Sequence, residues 1–349
     1  MKKKSPLYIQ AENIITEKIK GGVFTDKIPG ERVLAKEIGV SYMTMRQAIN
    51  NLVDAGILYK VPAKGTYVNK LGTNKRKTQN IGFFLDDRIK DGISSSYYSL
   101  IFKILEKNIS KKGYNLVFFS DFDSLDPSII DGAIISCFPR LENKIRGLKK
   151  LMPVVVIDNS LSDKSVPSVV IDNFNGVIDA IDFLYALGHR RIGYISGLLD
   201  SPVGKDRLKG YMSSLNDRGI DVDKGLIFNG DYSVQSGVKG TSYLLSQHSP
   251  PTAIMCANDA MAVGALKAIR ENALNVPNDI SVVGFDDINL ASQVHPPLTT
   301  MAAPIKQIVE QSVNLLFSLI AGVNLDNKHI ALSAQLVIRN SCASPKIPV

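Results

Sequence analysis

The sequence has no tryptophan, three cysteines and four histidines among its 349 residues. The cysteines, Cys137, Cys256 and Cys342, are odd in number and far apart, which excludes a disulfide framework and fits no zinc site. The histidines also lack the spacing of a metal centre. We therefore predict no metal and no cofactor, and we expect each cysteine to be a small packing residue in a reducing compartment.

Long apolar runs are missing as well. No stretch reaches the roughly 20 residues that a transmembrane helix needs, and the basic start at 1–4 is not followed by the apolar segment of a signal peptide. The hydrolase motifs G-x-S-x-G and H-E-x-x-H are absent, and GLLDSPVGK (197–205) lacks the spacing and the hydroxyl of a phosphate-binding loop. These absences favour a cytoplasmic protein that contacts no membrane and is not an enzyme.

The charge is unevenly distributed along the chain, which carries a net charge of +8. Residues 1–80 contain 15 Lys and Arg against 6 Asp and Glu, whereas residues 81–349 contain 26 against 27. A basic segment beside a neutral one is typical of a nucleic-acid-binding module joined to a soluble domain. A simple solubilising tail is the alternative, and it is disfavoured because the charge lies within a patterned segment.

Residues 31–68 carry the clearest pattern in this basic region, ERVLAKEIGVSYMTMRQAINNLVDAGILYKVPAKGTYV. We predict a first helix over 6–22, a second helix after Pro29-Gly30, a tight turn at 39–41, a third helix, and two β-runs around 62–65. A helix-turn-helix followed by a β-ribbon wing places one helix in the major groove of DNA.

The third helix supplies the candidate DNA-reading side chains. Ser41 stands at its N-cap, and its apolar face (Met45, Ala48, Ile49 and Leu52) would pack on the first two helices. Side chains in the first turns of such a helix reach base edges. With the start of the second helix and the wing tip, the DNA-binding candidates are Arg32, Ser41, Tyr42, Thr44, Arg46, Gln47, Lys64, Gly65 and Thr66. A small interaction domain with a solvated basic face is the alternative.

From residue 81 the sequence alternates short apolar strands with amphipathic helices, a pattern typical of a doubly wound parallel α/β sheet. We predict strands at 81–85, 115–119, 132–136, 154–158, 168–172, 191–196, 253–257 and 281–286. Helices are predicted at 97–112, 175–187, 204–218, 234–246 and 260–272. Eight strands are more than one sheet of a compact domain usually holds, so they indicate two similar lobes. The crossover at 120–131 is so short that it holds at most a single helical turn.

Polar side chains follow several of these strands directly. Ligands of open α/β sheets bind at the carboxyl ends of the strands, where carboxylates, an amide and a guanidinium would suit a polyhydroxylated ligand. Taken singly, each acid is better explained as a helix cap or a surface residue, but their shared position favours a common site. The aromatic rings that could stack on a sugar are Tyr97, Tyr98 and Tyr232. The candidate effector-binding residues are Asp86, Tyr97, Asp158, Arg207, Tyr232, Asn258 and Asp286.

The segment PGERVLAKEIGVSYMTMRQAINNLVDAGILYKVPAKGTYV resembles the winged-helix domain of the GntR family of bacterial transcription regulators. The residues that this resemblance places on DNA are Arg32, Thr44 and Arg46, with Lys64, Gly65 and Thr66 as the wing tip. Tyr42 stands where the family commonly has arginine, and Ala63 replaces a usual wing glycine. We therefore expect a half-site preference that differs from the usual one of the family.

Residues 80 to about 342 resemble the effector domain of the LacI/GalR regulators, which is itself similar to periplasmic sugar-binding proteins. The matching motifs are MPVVVIDNS, LGHRRIGYISG, DRLKGY, PTAIMCANDAMAVGAL, VPNDISVVGFDD and HPPLTT. The resemblance implies that Arg207, Asn258 and Asp286 bind an effector. It further implies that Asp158 lines the cleft and that Tyr97 and Tyr232 stack on the ligand.

Together these patterns and resemblances predict an α/β protein with a winged helix-turn-helix (1–70), a linker (71–79) and a two-lobed, periplasmic-binding-protein-like domain (80–345). The predicted function is that of a homodimeric transcriptional regulator, a repressor of carbohydrate-utilisation genes. Its affinity for a double-stranded DNA operator would change when a monosaccharide binds between the lobes. Two alternatives stay open: a sugar-binding protein without specific DNA recognition, and a ligand-dependent activator.

Overall fold

The computed structural model describes residues 6–54, 57–61, 64–68, 78–89, 91–323 and 328–346. The helices are α1 (Leu7–Lys20), α2 (Glu31–Ile38), α3 (Tyr42–Asp54), α4 (Ser96–Ser110), α5 (Glu142–Lys149), α6 (Asn173–Ala186), α7 (Pro202–Asp217), α8 (Val234–Leu245), α9 (Asp259–Glu271), α10 (Asn289–Gln293) and α11 (Ile305–Ile320). The strands are β1 (Leu58–Val61), β2 (Gly65–Val68), β3 (Asn80–Leu85), β4 (Asn115–Phe119), β5 (Gly132–Ser136), β6 (Val154–Ile157), β7 (Ser168–Ile171), β8 (Ile192–Ser196), β9 (Ile227–Asn229), β10 (Ala253–Cys256), β11 (Ser281–Asp286), β12 (Thr299–Ala302), β13 (His329–Leu332) and β14 (Gln335–Val337). Within these ranges no helix is long and apolar enough to cross a membrane.

The N-terminal headpiece consists of α1–α3 and the antiparallel pair β1–β2. Gly39 ends α2 in the left-handed conformation (φ 76°), which glycine adopts without a steric penalty. The Ser41 hydroxyl then accepts the Thr44 backbone N–H at 3.1 Å, so the predicted N-cap of α3 is present. Residues 62–63 between the two predicted β-runs, Ala63 among them, and residues 71–77 of the predicted linker lie outside the described residues.

Two six-stranded sheets form the remainder and confirm the predicted fold class. The first lobe has the strand order β13-β7-β6-β5-β3-β4 and the second lobe β14-β12-β11-β10-β8-β9. All pairs in these sheets are parallel except β12–β14. Buried aliphatic and aromatic side chains of the strands form the cores. The structure contains all eight predicted strands, and the short crossover holds only a 3-10 turn at Phe122–Ser124.

The chain passes between the lobes three times. It leaves the first lobe after β7, returns after β12 and leaves again after β13. The helix α11, which follows the return, packs on β5, β6 and β7 of the first lobe. Each lobe is therefore built from two separate stretches of sequence.

Close packing of α8 on α9 predicts a large effect of one methyl group. A Cβ atom at Gly264 would lie 2.1 Å from the carbonyl oxygen of Val234, and backbone at such a distance cannot move aside cheaply. We expect Gly264→Ala to lower the free energy of unfolding by about 3 kcal/mol in urea titrations. Gly147→Ala in α5 is the control, because open space surrounds that position and alanine favours a helix by about 0.5–1 kcal/mol. Equal losses in both variants would contradict the prediction.

Candidate ligand cleft and nucleic-acid interface

A cavity of about 490 Å³ lies between the two lobes, at the carboxyl ends of their strands. The first lobe contributes the segment after β3, the start of α4 and the end of β6, and the second lobe contributes the starts of α7, α8 and α9 and the end of β11. Six of the seven predicted effector residues line it, namely Tyr97, Asp158, Arg207, Tyr232, Asn258 and Asp286. Their part in binding an effector stays a prediction. Among the described residues, no group of three or more His, Cys, Asp or Glu could hold a metal ion.

On the first-lobe wall, the Asp158 carboxylate accepts hydrogen bonds from two tyrosine hydroxyls. Tyr97 donates to one carboxylate oxygen at 2.8 Å and Tyr98 to the other at 2.7 Å. The two rings meet edge to face, with centroids 5.1 Å apart. Burial and the neighbouring Asp158 charge raise the pKa of both tyrosines well above the usual value, so both remain protonated donors. The arrangement fixes the carboxylate at the cavity surface.

On the second-lobe wall, Arg207 is 3% exposed, and its guanidinium has three hydrogen-bonding partners. Its Nε donates to Asn173 Oδ1 at 2.7 Å, one Nη donates to the Ala257 carbonyl, and the other Nη lies 3.4 Å from Asp286 Oδ1. The ring of Phe285 covers one face, 3.7 Å from the guanidinium carbon. The guanidinium is thereby held in one orientation.

The Asp286 carboxyl experiences opposing influences. Burial raises its pKa, the Arg207 cation lowers it, and the Asp158 charge from the opposite lobe raises it further, to about 7. The cleft therefore places two acids, one on each lobe, close enough to repel each other when both are ionised.

Four helices begin at the cavity. The N-cap side chain of each accepts a backbone N–H of its own first turn at 2.9–3.2 Å. These caps are Ser95 of α4, Ser201 of α7, Ser233 of α8 and Asn258 of α9, and all four line the cavity. The positive ends of four helix dipoles therefore lie beside the carboxylates of the cleft.

Backbone strain is concentrated in the same place. Asp158 (φ 71°), Tyr232 (φ 68°) and Asp286 (φ 111°) all adopt positive φ values, which residues other than glycine rarely do. Tyr232 fits only because a glycine lies beneath its ring, since a Cβ atom at Gly197 would be 2.0 Å from Tyr232 Cζ. Burial raises the pKa of Tyr232 to about 12. Its buried hydroxyl has no hydrogen bond of good geometry within the described residues.

The seventh predicted effector residue, Asp86, is not brought into the cavity. Its carboxylate is buried and accepts hydrogen bonds from Arg140 at 2.7 Å and from the backbone N–H groups of Phe138 and Arg88, both at 3.1 Å. Asp86 thus fixes the loop after β3. The prediction that it contacts the effector rests on its position after a strand, and that position does not determine which way a side chain turns.

The strand-end pattern missed Arg88, which lines the cavity two residues further along. Its guanidinium lies 4.5 Å from the centre of the Phe138 ring and forms an ion pair with Asp200 of the second lobe. This ion pair joins the lobes at the cleft. Arg88 has no distinguishing sequence context, so only the structure could have identified it.

The predicted DNA-binding residues lie on the outer surface of the headpiece. Thr44 and Thr66 are half-buried, and the exposed members are Arg32, Ser41, Tyr42, Arg46, Gln47, Lys64 and Gly65. The Arg32 guanidinium lies 5.8 Å from the ring centre of Tyr42, which places both on one surface. Their contacts with DNA stay a prediction.

Two other headpiece residues refine this surface. Met43, in the first turn of α3, is 67% exposed, and an apolar side chain there could contact a thymine methyl group. Sequence reasoning missed Met43 because only its exposure distinguishes it from the buried Met45, and the sequence does not show exposure. Lys60 donates to Glu31 at 2.8 Å and to Asn50 at 3.0 Å, so its charge is partly neutralised within the headpiece.

Comparison with known proteins agrees with this architecture. Residues 7–68 match the gntR family of bacterial regulatory proteins, and residues 181–342 match the periplasmic binding protein-like domain. The HTH-type transcriptional repressor CytR of Escherichia coli strain K12 is 34% identical over 262 residues, 71% of this chain and 76% of CytR. The probable HTH-type transcriptional repressor ExuR of Bacillus subtilis strain 168 is 30% identical over 329 residues, 88% of this chain and 96% of ExuR.

The solved structures give the same result. A sugar-binding transcriptional regulator of the LacI family from Escherichia coli, in complex with phosphate, is 27% identical with a TM-score of 0.65. The match covers 77% of this chain and 100% of that one. The chain belongs to the LacI family of transcriptional regulators and carries a DNA-binding headpiece of the gntR family.

Proposed function

We propose that this regulator represses carbohydrate-utilisation genes and that a monosaccharide bound between its lobes changes its affinity for the operator. The observation that carries the proposal is the pair of acids, Asp158 and Asp286, which approach the cavity from opposite lobes. Sugar hydroxyls can donate to both carboxylates at once, while Asn258 and Arg207 supply further polar contacts. The sugar-binding relative of the LacI family supports this class of effector.

The same two acids make closure of the cleft depend on the ligand. Without ligand, repulsion between the two carboxylates opposes closure, whereas the ion pair of Arg88 with Asp200 favours it. Hydroxyl donors placed between the acids remove the repulsion, so the ligand binds the closed state more tightly. A ligand shifts such an equilibrium only by its difference in affinity for the two states.

A second copy of the chain is the partner that this function requires, because helix-turn-helix proteins read two half-sites of a pseudo-palindrome as dimers. The edge strands β4 and β9 end the two sheets, and each carries an exposed aromatic ring on it or beside it. One ring is Phe118 on β4, which is 37% exposed. The other is Tyr243 on α8, which is 40% exposed and whose ring centre lies 5.7 Å from that of Phe228 on β9. We infer a homodimer through these edges, acting on DNA in the cytoplasm and without a catalytic role.

The experiment is an operator-binding titration with and without sugars. A duplex selected by the protein from a random library serves as the operator, and fluorescence anisotropy measures its dissociation constant. We expect one monosaccharide to weaken binding about 5- to 150-fold, the usual range of allosteric coupling. Tighter binding with the sugar would make the protein a ligand-dependent activator or a corepressed repressor. The absence of sequence preference would leave a sugar-binding protein with a basic headpiece.

The pKa of Asp286 predicts a pH dependence of stability. Its pKa is about 7 in the folded protein against a usual 3.8, so the folded state holds this proton more tightly than the unfolded state. Its contribution to the free energy of unfolding is therefore most favourable below about pH 4 and is lost as the pH rises to about 7. Asp286→Asn removes this loss, so urea titrations should show the variant gaining on wild type between pH 5 and pH 8. A constant difference across that range would contradict the assignment.

A further inference from the structure

We infer that the cleft accepts an uncharged polyhydroxylated ligand and rejects sugars that carry a phosphate or a carboxylate. This inference rests on the proposed function and narrows its effector class. It follows from the charges that line the cavity, from the partners of its two guanidinium groups and from the helices that begin there.

The cavity offers no excess of positive side chains. Two cations and four acids line it in the described part of the chain, and these are Arg88, Asp91, Asp158, Arg207, Asp231 and Asp286. An anionic ligand would therefore enter a site whose side chains already carry net negative charge.

Both guanidinium groups are already paired with carboxylates. Arg88 pairs with Asp200, and Arg207 lies 3.4 Å from Asp286. Arginine commonly binds a phosphate or carboxylate through two parallel N–H groups of one guanidinium edge. In Arg207 the Nε donates to Asn173 and one Nη to the Ala257 carbonyl, so the edge that contains Nε is occupied. Capture of an anion would require either the buried pair of Arg207 with Asp286 or the exposed pair of Arg88 with Asp200 to break, and only the first is costly to break.

The four helix N-termini balance the acids without creating an anion site. Each contributes roughly half a positive charge, and each N-cap side chain already occupies one N–H of its first turn. When these helix dipoles are added to the net negative charge of the side chains, the cleft as a whole is close to electrical neutrality. A neutral polyol can donate to the carboxylates and accept from the remaining N–H groups, whereas an anion would lose its hydration without a free countercharge.

The test compares matched ligand pairs on the full-length protein. Thermal shift, followed by titration calorimetry, is applied to ribose, arabinose, glucose and galactose, and to ribose 5-phosphate, arabinose 5-phosphate, glucose 6-phosphate and galacturonate. We expect at least one neutral sugar to bind and its charged counterpart to bind at least 100-fold more weakly. A charged member that binds as tightly as its neutral counterpart, or a response to charged members alone, overturns this inference but leaves the proposed function standing. A panel in which no member binds or alters operator affinity overturns both.

A charge variant separates the cavity from the rest of the surface. Asp91 lines the cavity at a φ of 60°, which asparagine also tolerates, so Asp91→Asn removes one acid with little strain. We expect it to improve binding of the charged counterpart at least threefold more than binding of the neutral sugar. Asp87→Asn is the control, because Asp87 is exposed on the same loop and does not line the cavity. An equal effect of both variants would overturn the explanation by cavity charge.

Discussion

Arg207→Met is expected to abolish effector binding, with at least a 100-fold rise in the dissociation constant, and to destabilise the protein. The substitution removes the donor beside Asp286 and leaves three partners, Asn173, the Ala257 carbonyl and Asp286, without their buried guanidinium. Breaking a buried ion pair costs about 3–5 kcal/mol. We expect the lower end, about 3 kcal/mol, because Asp286 has a pKa of about 7 and can take up a proton instead.

A double variant separates binding from folding. Arg207→Met combined with Asp286→Asn removes both charges, so urea unfolding should show most of the lost stability restored while calorimetry shows no restored binding. The neutral sugar that stabilises wild type serves as the ligand. If the single variant kept its affinity within threefold of wild type, Arg207 would have only a structural role.

Arg46→Ala is expected to weaken operator binding about 10- to 100-fold, the range of one bidentate contact with guanine. Arg46 is exposed in the second turn of α3, outside the buried stripe formed by Met45 and Ile49. The loss should fall on the selected operator and much less on random DNA, and it should relax preference at one base position. Fluorescence anisotropy with single-base operator variants measures this.

Arg270→Ala is the charge-matched control for this variant, because Arg270 is exposed on α9 of the second lobe. We expect operator affinity to remain unchanged in that protein. Sugar binding should be unchanged in both variants. Equal weakening of Arg46→Ala on operator and on random DNA would reduce Arg46 to a phosphate contact.

The sequence predicted the parts of the fold that follow from local patterns. Continuous apolar runs identified eight of the twelve strands of the two lobes, and the Gly39–Ser41 turn with its cap identified the headpiece. The four further strands, β9 and β12–β14, have only three or four residues, and all but β12 are at least part-exposed. They are strands only because neighbouring strands pair with them, which no local pattern reveals.

Site residues were predictable where they lie at strand ends. They were unpredictable where their place in the site depends on side-chain orientation or on contacts between residues distant in sequence. Asp158 follows β6 and Asp286 ends β11, and both line the cavity, whereas Asp86 follows β3 and turns towards Arg140. Arg88 enters the cleft by pairing with a residue 112 positions away. The position of the Tyr232 ring likewise depends on Gly197, which is distant in sequence.

The three chain crossings between the lobes have a consequence at the level of the gene. Because each lobe is assembled from two stretches of sequence, no single continuous piece of coding DNA encodes a complete lobe. The headpiece, in contrast, is one continuous stretch matching residues 7–68. One recombination point just after it can replace the reader of DNA and leave the sensor of ligand whole. A gntR-family headpiece joined to a LacI-type effector domain is the kind of hybrid that a continuous headpiece permits. The two lobes share interleaved sequence, so recombination can exchange them only as a pair.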